Sequence, residues 1–349
     1  MRYWLILLAV LLGFGAAAGL RLHEFNQFAP LEPVALARCE PVTGIAGPED
    51  IEVDEAGSRA FISSLDRRGD GDKTTVRGAI HVFDVDDPLS AAGWRDRTGG
   101  VPEAFRPYGL SYYEAGDTRR LFVVNEAAKA VELYEVAANG DLEHLETFRE
   151  RRLTSPNNVV AVGPRQFYVT NDVRPGRNAP VADLHFLMNI GSGEIFYVDG
   201  DVWRVAAEGL RFANGLALSA DGLTLYAAET AANALKVFDR NPESSALTLA
   251  NTILLGASPD NINIDAAGAI WVGALPKPLA VPRLARDAAA TAPSEVLRVT
   301  PDGAAHTVYR NDGGEQSAVT VAARVKNKLL IGALYEEKFL YCELPRASR

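Results

Sequence analysis

Short apolar runs separated by turn residues fill most of the chain, and they predict strands rather than helices. The runs alternate apolar with polar positions and stop at Gly, Asp, Asn or Pro, which is the pattern of many short strands joined by turns. One phrase recurs six times: a polar residue opens an alternating strand, a turn follows, and a second strand of apolar residues comes next. The six phrases begin 58, 49, 57, 46 and 57 residues apart, at Asp50, Tyr108, Asn157, Asn214, Asp260 and Ser317.

This repeat length predicts the architecture. A unit of about 40–50 residues with three or four strands is typical of a β-propeller. A third strand is predicted after most phrases, at 79–85, 131–136, 234–240, 295–300 and 338–344. We therefore expect an all-β fold, a six-bladed β-propeller over residues 39–344, with a short tail at 345–349.

The first twenty residues follow a different pattern. Residues 4–20 form an uncharged apolar run of 17 residues behind Arg2, which predicts an N-terminal hydrophobic helix. A positive start followed by an apolar run fits a signal peptide, and the length is also close to that of a membrane span. We expect residues 1–20 to be a signal peptide or a membrane anchor, with a buried helix as the alternative, and residues 21–38 to be a linker. Either targeting role places the protein outside the cytosol, secreted, periplasmic or membrane-anchored.

Charge and cysteine content narrow the function classes. The chain has 35 Lys and Arg against 45 Asp and Glu, a net charge of −10, which argues against nucleic-acid binding. Its two cysteines, Cys39 and Cys342, are too few for a thiolate zinc site. Cys39 precedes the first repeat and Cys342 lies in the last predicted strand, so a bridge between them would close the ring. Two separate buried thiols are the alternative.

The polar residues that open the repeats are candidate metal ligands. The opening strand of each propeller blade lines the central channel, so equivalent openings meet at one mouth. Carboxylate and amide oxygens without sulfur suit calcium, which takes six to eight hard ligands. The alternative is that these residues serve only as turn residues before strands. The openings are Glu49-Asp50, Tyr108-Gly109, Asn157-Asn158, Asn214-Gly215 and Asp260-Asn261.

Other catalytic motifs are absent from the sequence. It contains no G-x-S-x-G elbow, no H-E-x-x-H and no P-loop. His185 lies in an insertion before the fourth repeat, where a structural role and a proton-transfer role both stay open.

Long ordered motifs resemble one known family. CEPVTGIAGPEDIEV, NNVVAVGPRQFYVTND, VWRVAAEGLRFANGLALSADG, SPDNINID and SEVLRV are similar to segments of the serum paraoxonase/arylesterase family, and the resemblance covers roughly residues 20–344. It implies a six-bladed propeller with a disulfide between its ends and two Ca²⁺ ions in the channel. It also implies hydrolysis of small-molecule aryl esters or lactones, in which Ca²⁺ polarises the carbonyl group and stabilises the oxyanion.

The resemblance also implies particular ligands. It assigns the catalytic calcium to Glu49, Asn157, Asn214, Asp260 and Asn261. It assigns the structural calcium to Asp50, Asn158 and the backbone carbonyl of Leu110. We further expect Phe212 to supply part of an apolar substrate wall.

Three departures from the family pattern affect the mechanism. Tyr108 and Glu126 replace the two histidines of the family's catalytic dyad, and Asn158 replaces an aspartate of the structural site. Tyrosine has an ordinary pKa near 10 and is a weak base at neutral pH. Tyr108 and Glu126 are therefore either an altered catalytic pair or a hydrogen-bonded pair without a hydrolytic role. The alternative functions are a non-catalytic, membrane-tethered propeller that binds a ligand or partner, and a propeller enzyme of the strictosidine-synthase or gluconolactonase type.

Overall fold

Six four-stranded antiparallel sheets form the molecule. The computed structural model describes residues 2–68, 77–87, 94–98, 100 and 104–345. The first half of the chain contains β1 (Arg38–Thr43), β2 (Pro48–Asp54), β3 (Arg59–Ser64), β4 (Ala79–Asp84), β5 (Trp94–Asp96), β6 (Pro107–Ala115), β7 (Thr118–Asn125), β8 (Ala130–Val136), β9 (Leu142–Arg149), β10 (Pro156–Gly163), β11 (Gln166–Asn171), β12 (Gly193–Asp199) and β13 (Val202–Leu210).

The second half continues the same series of short strands. It contains β14 (Ala213–Leu218), β15 (Thr224–Glu229), β16 (Ala234–Arg240), β17 (Leu247–Leu254), β18 (Ser258–Ile264), β19 (Ile270–Leu275), β20 (Ser294–Val299), β21 (Ala305–Asn311), β22 (Val319–Val325), β23 (Lys328–Ala333) and β24 (Lys338–Glu343).

Five of the sheets are built from four consecutive strands each. Their orders are β2-β3-β4-β5, β6-β7-β8-β9, β10-β11-β12-β13, β14-β15-β16-β17 and β18-β19-β20-β21. The predicted all-β, six-bladed β-propeller is confirmed. Each sheet is one blade, and we number the blades one to six in chain order of their inner strands β2, β6, β10, β14, β18 and β22.

Blade six is completed by the beginning of the chain. Its strand order is β1-β24-β23-β22, so β1 is the outer strand beside β24. Cys39 lies opposite Cys342 in this pairing, and the two form a disulfide bond. The bridge predicted from the positions of the cysteines is confirmed, and it fastens the two ends of the propeller to each other.

Apolar side chains fill the seams, the contacts between neighbouring blades. The seam between blades one and six contains Ile51, Ile62, Val321 and Leu330, all fully buried. The other five seams have clusters of the same kind. Because each inner strand lies against such a cluster on both sides, close packing holds its backbone in place around the channel.

The N-terminal helix α1 (Arg2–Glu24) confirms the predicted N-terminal helix and continues past Leu20. In the part of the chain that the structure describes, no helix combines the length and the apolar character needed to cross a membrane. The end of α1 meets the insertion that contains helix α2 (Ala182–Leu187): Arg21 donates hydrogen bonds to the backbone carbonyls of Phe186 and Leu187, both at 3.1 Å. A short helix α3 (Val281–Leu284) lies in the insertion between β19 and β20.

Candidate metal centre

A β-bulge interrupts each inner strand at its polar opening. In β2, Pro48 pairs with Ser64 and the next pair is Ile51 with Ile62, so the two residues between them lie opposite one. The same shift occurs in the inner strands of blades two to five, and in blade six Thr320 is a single extra residue between two pairs. A bulge turns side chains out of the regular ladder. The residues brought out in this way are Glu49, Asp50, Tyr108, Asn157, Asn158, Asn214, Asp260, Asn261 and Thr320, together with Gly109 and Gly215.

Two of the bulge residues must be glycine because the neighbouring strand is so close. A Cβ atom on Gly215 would lie 2.6 Å from the carbonyl oxygen of Asp260 and 2.8 Å from the Cα of Asn261. A Cβ atom on Gly109 would lie 2.5 Å from the Cα of Asn158. Real Cβ atoms do not approach other atoms so closely, so these glycines let the inner strands converge.

Hydrogen bonds connect four of the sequence-predicted ligands. Asn261 Nδ2 donates to Glu49 Oε1 at 3.1 Å and to the Glu49 carbonyl oxygen at 3.0 Å. Asn158 Nδ2 donates to Asn261 Oδ1 at 2.9 Å and to Asp50 Oδ2 at 3.2 Å. Thr320 Oγ1 donates to the Glu49 carbonyl oxygen at 2.7 Å. The structure thus brings together residues from blades one, three, five and six.

Three oxygen atoms of the predicted catalytic-calcium set have no hydrogen-bond donor. Glu49 Oε2, Asn157 Oδ1 and Asn214 Oδ1 are buried, and none has a hydrogen-bond partner among the described residues. Buried acceptors in native proteins are almost always satisfied by a donor, by water or by a cation. The side chains present therefore fit a cation bound between Glu49, Asn157 and Asn214.

The electrostatics of the ring favour a positive charge at the same place. Burial raises the pKa of Glu49, although the charges of Arg67 and Arg177 oppose the change. Burial and the charge of Glu49 raise the pKa of Asp50 well above its usual range. The same two causes raise the pKa of Asp260 to about 8. A cation would favour the charged form of each carboxylate and reverse these shifts.

The donor atoms of the ring are hard oxygens. Within the described ranges, no three or more side chains of His, Cys, Asp and Glu come together as a metal site. Any ion here would therefore depend on the amide oxygens of Asn157, Asn214 and Asn261 as well as on Glu49 and Asp260. Such a mixed oxygen set fits calcium better than zinc or copper.

At the predicted structural-calcium set, the side-chain oxygens are already satisfied. Asp50 Oδ1 accepts a hydrogen bond from the Ile51 N–H at 2.9 Å, and Asp50 Oδ2 accepts one from the Leu110 N–H at 2.8 Å. Asn158 Oδ1 accepts one from the Leu216 N–H at 3.2 Å. The group of Leu110 that faces Asp50 is thus its N–H, whereas the resemblance implied its carbonyl as a ligand.

Tyr108 lies between two arginine side chains at the channel mouth. The guanidinium carbons of Arg67 and Arg177 are each 4.7 Å from the centre of its ring. Arg177 is held by Asp172, whose Oδ2 accepts hydrogen bonds from Nε at 2.9 Å and from Nη2 at 2.5 Å. Burial lowers the pKa of Arg177, but the charges of Asp172 and Glu126 outweigh burial and raise it. The arginine therefore stays charged beside Tyr108.

Glu126 forms ion pairs with neighbouring positive side chains. Its Oε2 lies 3.3 Å from Arg106 Nε, and its Oε1 pairs with Lys129 Nζ. Burial raises the pKa of Glu126, but the positive charges of Lys129, Arg177 and Arg106 outweigh burial and lower it. Both residues are among those described, and no hydrogen bond joins Glu126 to Tyr108. The charge of Arg177 interacts with both Glu126 and Tyr108.

Two other residues singled out in the sequence lie near α2. Phe212 contacts Phe186 edge to face, with ring centres 5.3 Å apart, and Phe186 stacks against Phe25 at the same distance. His185 Nδ1 lies 2.6 Å from Ser192 Oγ. The substrate-wall role of Phe212 stays a prediction, since its ring also joins the insertion to the end of α1.

The sequence did not point to Arg67, Arg177, Asp172 or Thr320. Arg67, Asp172 and Arg177 lie in loops after the second strands of blades one and three, where the blades differ in length. Thr320 occupies the opening of blade six, at the position equivalent to Glu49 and Asp260. Alignment of the six repeats could have identified it.

Comparison with known proteins decides the family. The family model described as arylesterase matches residues 30–344. The chain belongs to the arylesterase family. This arylesterase-family protein is 33% identical to serum paraoxonase/arylesterase 1 of Homo sapiens, over 96% of this chain and 98% of that protein. It is 35% identical to serum paraoxonase/arylesterase 2 of Gallus gallus, over 97% of this chain and 99% of that protein. The resemblance inferred from the motifs is confirmed.

Solved structures with low sequence identity share the fold. A putative gluconolactonase superposes with a TM-score of 0.58 at 15% identity, covering 90% of this chain and 97% of that one. Regucalcin of Agrobacterium tumefaciens, a calcium-binding protein, superposes with a TM-score of 0.54 at 16% identity, covering 92% of this chain and 98% of that one. These likenesses show the propeller fold alone.

Proposed function

We propose that this arylesterase-family protein is a calcium-dependent hydrolase of small-molecule carboxylic esters, either aryl esters or lactones. Relatives that match nearly the full length of the chain carry arylesterase in their names. The observation that carries the proposal is the set of buried, unpartnered oxygens on Glu49, Asn157 and Asn214, which lie in the ring at the channel mouth.

The proposed ion site uses Glu49, Asn157, Asn214, Asp260 and Asn261. The amide of Asn261 holds Glu49 through Oε1, and this leaves Oε2 available as a ligand. When bound, calcium supplies a Lewis acid that polarises the ester carbonyl and stabilises negative charge on its oxygen.

The channel mouth supplies the groups around the reacting ester. We propose that Tyr108, fixed between Arg67 and Arg177, orients the attacking water with its hydroxyl group. Glu126 has a lowered pKa and is engaged by Arg106 and Lys129, so it is a weak proton acceptor at neutral pH. Its proposed role is positioning, because its charge helps to hold Arg177 beside the phenol.

An assay with phenyl acetate and a panel of γ- and δ-lactones tests this proposal. We expect turnover in calcium and none in chelator. Tyr108→Phe should lower kcat by about 100-fold, since the hydroxyl that orients water is lost, and Glu126→Gln by about 10-fold through misplacement of Arg177. Tyr113→Phe and Glu135→Gln make the same chemical changes outside the mouth and should keep wild-type rates.

Other outcomes point to the alternative functions. The ion pairs that occupy Glu126 favour one of them, a propeller that binds a ligand or partner without turnover. Absence of turnover on every substrate, with calcium still raising the melting temperature, would support that function. Calcium-dependent turnover unaffected in both Tyr108→Phe and Glu126→Gln would instead support a gluconolactonase-like site with different proton chemistry.

We also propose that the protein acts outside the cytosol. The Cys39–Cys342 bond supports this location, because structural disulfides persist in oxidising compartments. Fractionation of cells that produce the full chain, with thiol labelling of each fraction, should find the unreactive, oxidised protein outside the cytosol. Labelled thiols in a cytosolic pool of active protein would contradict the proposal.

A further inference from the structure

Two adjacent groups of polar side chains differ in how their oxygens are satisfied. In the ring of the proposed ion site, Glu49, Asn157 and Asn214 each keep one buried oxygen without a partner among the described residues. In the second group, both oxygens of Asp50 accept hydrogen bonds from protein donors. The amide of Asn158 is also fully used.

The orientation of the Asn158 amide follows from its backbone partner. The Leu216 N–H can only donate, and it lies 3.2 Å from Oδ1. The amide oxygen therefore faces Leu216, and Nδ2 faces Asp50 and Asn261. Its two hydrogens go to Asp50 Oδ2 at 3.2 Å and to Asn261 Oδ1 at 2.9 Å. An amide nitrogen donates and does not bind a cation.

The remaining group near Asp50 is a donor as well. The Leu110 N–H lies 2.8 Å from Asp50 Oδ2. Calcium needs six to eight oxygen ligands, whereas Asp50 here meets two N–H donors on the same oxygen.

We infer that this chain binds one calcium ion and that hydrogen bonds from Asn158 replace the second ion implied by the family resemblance. The inference rests on the proposed calcium site but not on hydrolysis. Asn158 itself connects Asp50 of blade one with Asn261 of blade five through its two N–H donors. Because Asn261 in turn holds Glu49, Asn158 acts as a positioning residue for the proposed ion site.

The substitution Asn158→Asp should create the missing site. It exchanges two N–H donors for a second carboxylate beside Asp50, so two negative charges would face each other in a buried place. Such a pair is stabilised by a cation. Asn327→Asp is the matched control, since it makes the same chemical change in the exposed turn between β22 and β23, away from both groups of polar side chains.

Calcium titration of the full chain, by isothermal calorimetry and by equilibrium dialysis, tests the inference. We expect one ion per wild-type chain, two per Asn158→Asp chain and one per Asn327→Asp chain. Two ions per wild-type chain would overturn the inference even if Asn158→Asp failed to fold. A single ion in a folded Asn158→Asp chain would also overturn it.

The stoichiometry separates this inference from the proposed function. One bound ion without ester or lactone turnover would contradict the hydrolase and support the single site. Turnover with two bound ions would support the hydrolase and contradict the single site. No bound calcium in the wild-type chain would contradict both.

Discussion

Asp265 shows how a single buried carboxylate can join two blades. It accepts hydrogen bonds from the Trp271 Nε1–H of blade five at 2.9 Å and from Arg324 Nη1 of blade six at 2.7 Å. It also accepts from the backbone N–H groups of Ala267 and Ala269, both at 3.0 Å. Burial raises the pKa of Asp265, but the donors from Trp271 and Arg324 outweigh burial and lower it.

The Asp265→Asn variant should be less stable than wild type by about 1–3 kcal/mol at neutral pH, since an amide would place N–H donors against Trp271 and Arg324. The pKa of Asp265 is lower in the folded than in the unfolded state. Its stabilisation is therefore present above the ordinary aspartate pKa near 4 and is lost as pH falls through the folded-state value.

Urea unfolding at pH 7, 5 and 3 measures this difference. We expect Asp265→Asn to lose the full amount, about 1–3 kcal/mol of unfolding free energy, at pH 7 and pH 5, and less at pH 3. Asp117→Asn, in the exposed turn between β6 and β7, should change stability little at any of the three. An equal loss for Asp265→Asn at pH 7 and pH 3 would contradict the ionic origin of the stabilisation.

Single residues also mark the limit of prediction from the sequence. The openings at Glu49, Asn157, Asn214 and Asp260 were predictable because a repeat places polar residues at equivalent strand positions. Arg67 and Arg177 were not, because their loops differ in length from the corresponding loops of the other blades. Their approach to Tyr108 depends on the packing of blades one, two and three, which a linear pattern does not contain.

At the scale of elements, strands with a buried face were the predictable ones. The third strand predicted at 234–240 is β16 with the same bounds. The third strands predicted in the other blades differ from the observed strands by about one residue at an end. The fourth strands were not assigned. Most of β17 is exposed, so it lacks the alternation that identifies a half-buried strand. Strand β1 was assigned to no blade, because its partner β24 is at the opposite end of the chain.

The β1–β24 pair makes the disulfide important for stability. The bond closes a loop of 303 residues, and cross-links over long loops typically stabilise a protein by about 2–5 kcal/mol. The double variant Cys39→Ser/Cys342→Ser should therefore lose stability by that amount in urea unfolding. Reductant should lower the stability of wild type to that of the variant and leave the variant unchanged. A reductant effect of equal size on both would contradict this assignment.

At the scale of the whole molecule, the proposed ion site joins four blades. Glu49 belongs to blade one, Asn157 to blade three, Asn214 to blade four and Asp260 to blade five. Six blades around an axis leave a channel that local packing at the seams does not fill. A cation held from four directions would therefore stabilise the closed ring beyond the contribution of each seam.

Calcium should accordingly raise the melting temperature of the full chain, and chelator should lower it. At a calcium concentration 100 times the Kd, the gain in unfolding free energy is about 2.7 kcal/mol. Asp260→Asn should reduce the shift, while Asp201→Asn, on an exposed turn between β12 and β13, should leave it unchanged. Differential scanning fluorimetry measures both. A full calcium shift in Asp260→Asn would remove Asp260 from the ion site.

Because β1 belongs to the last blade, the propeller can close only late in synthesis of the chain. Strand β1 is synthesised before the other strands and its partner β24 after them, so the ring cannot close until residues 338–343 have been made. During that time β1 and the edge of β23 that later pairs with β24 are unpaired, and such edges can pair with other chains. Cys39 likewise has no native partner before Cys342 emerges. A nascent protein that lacked residues 338–343 would hold five complete blades and no pairing partner for β1.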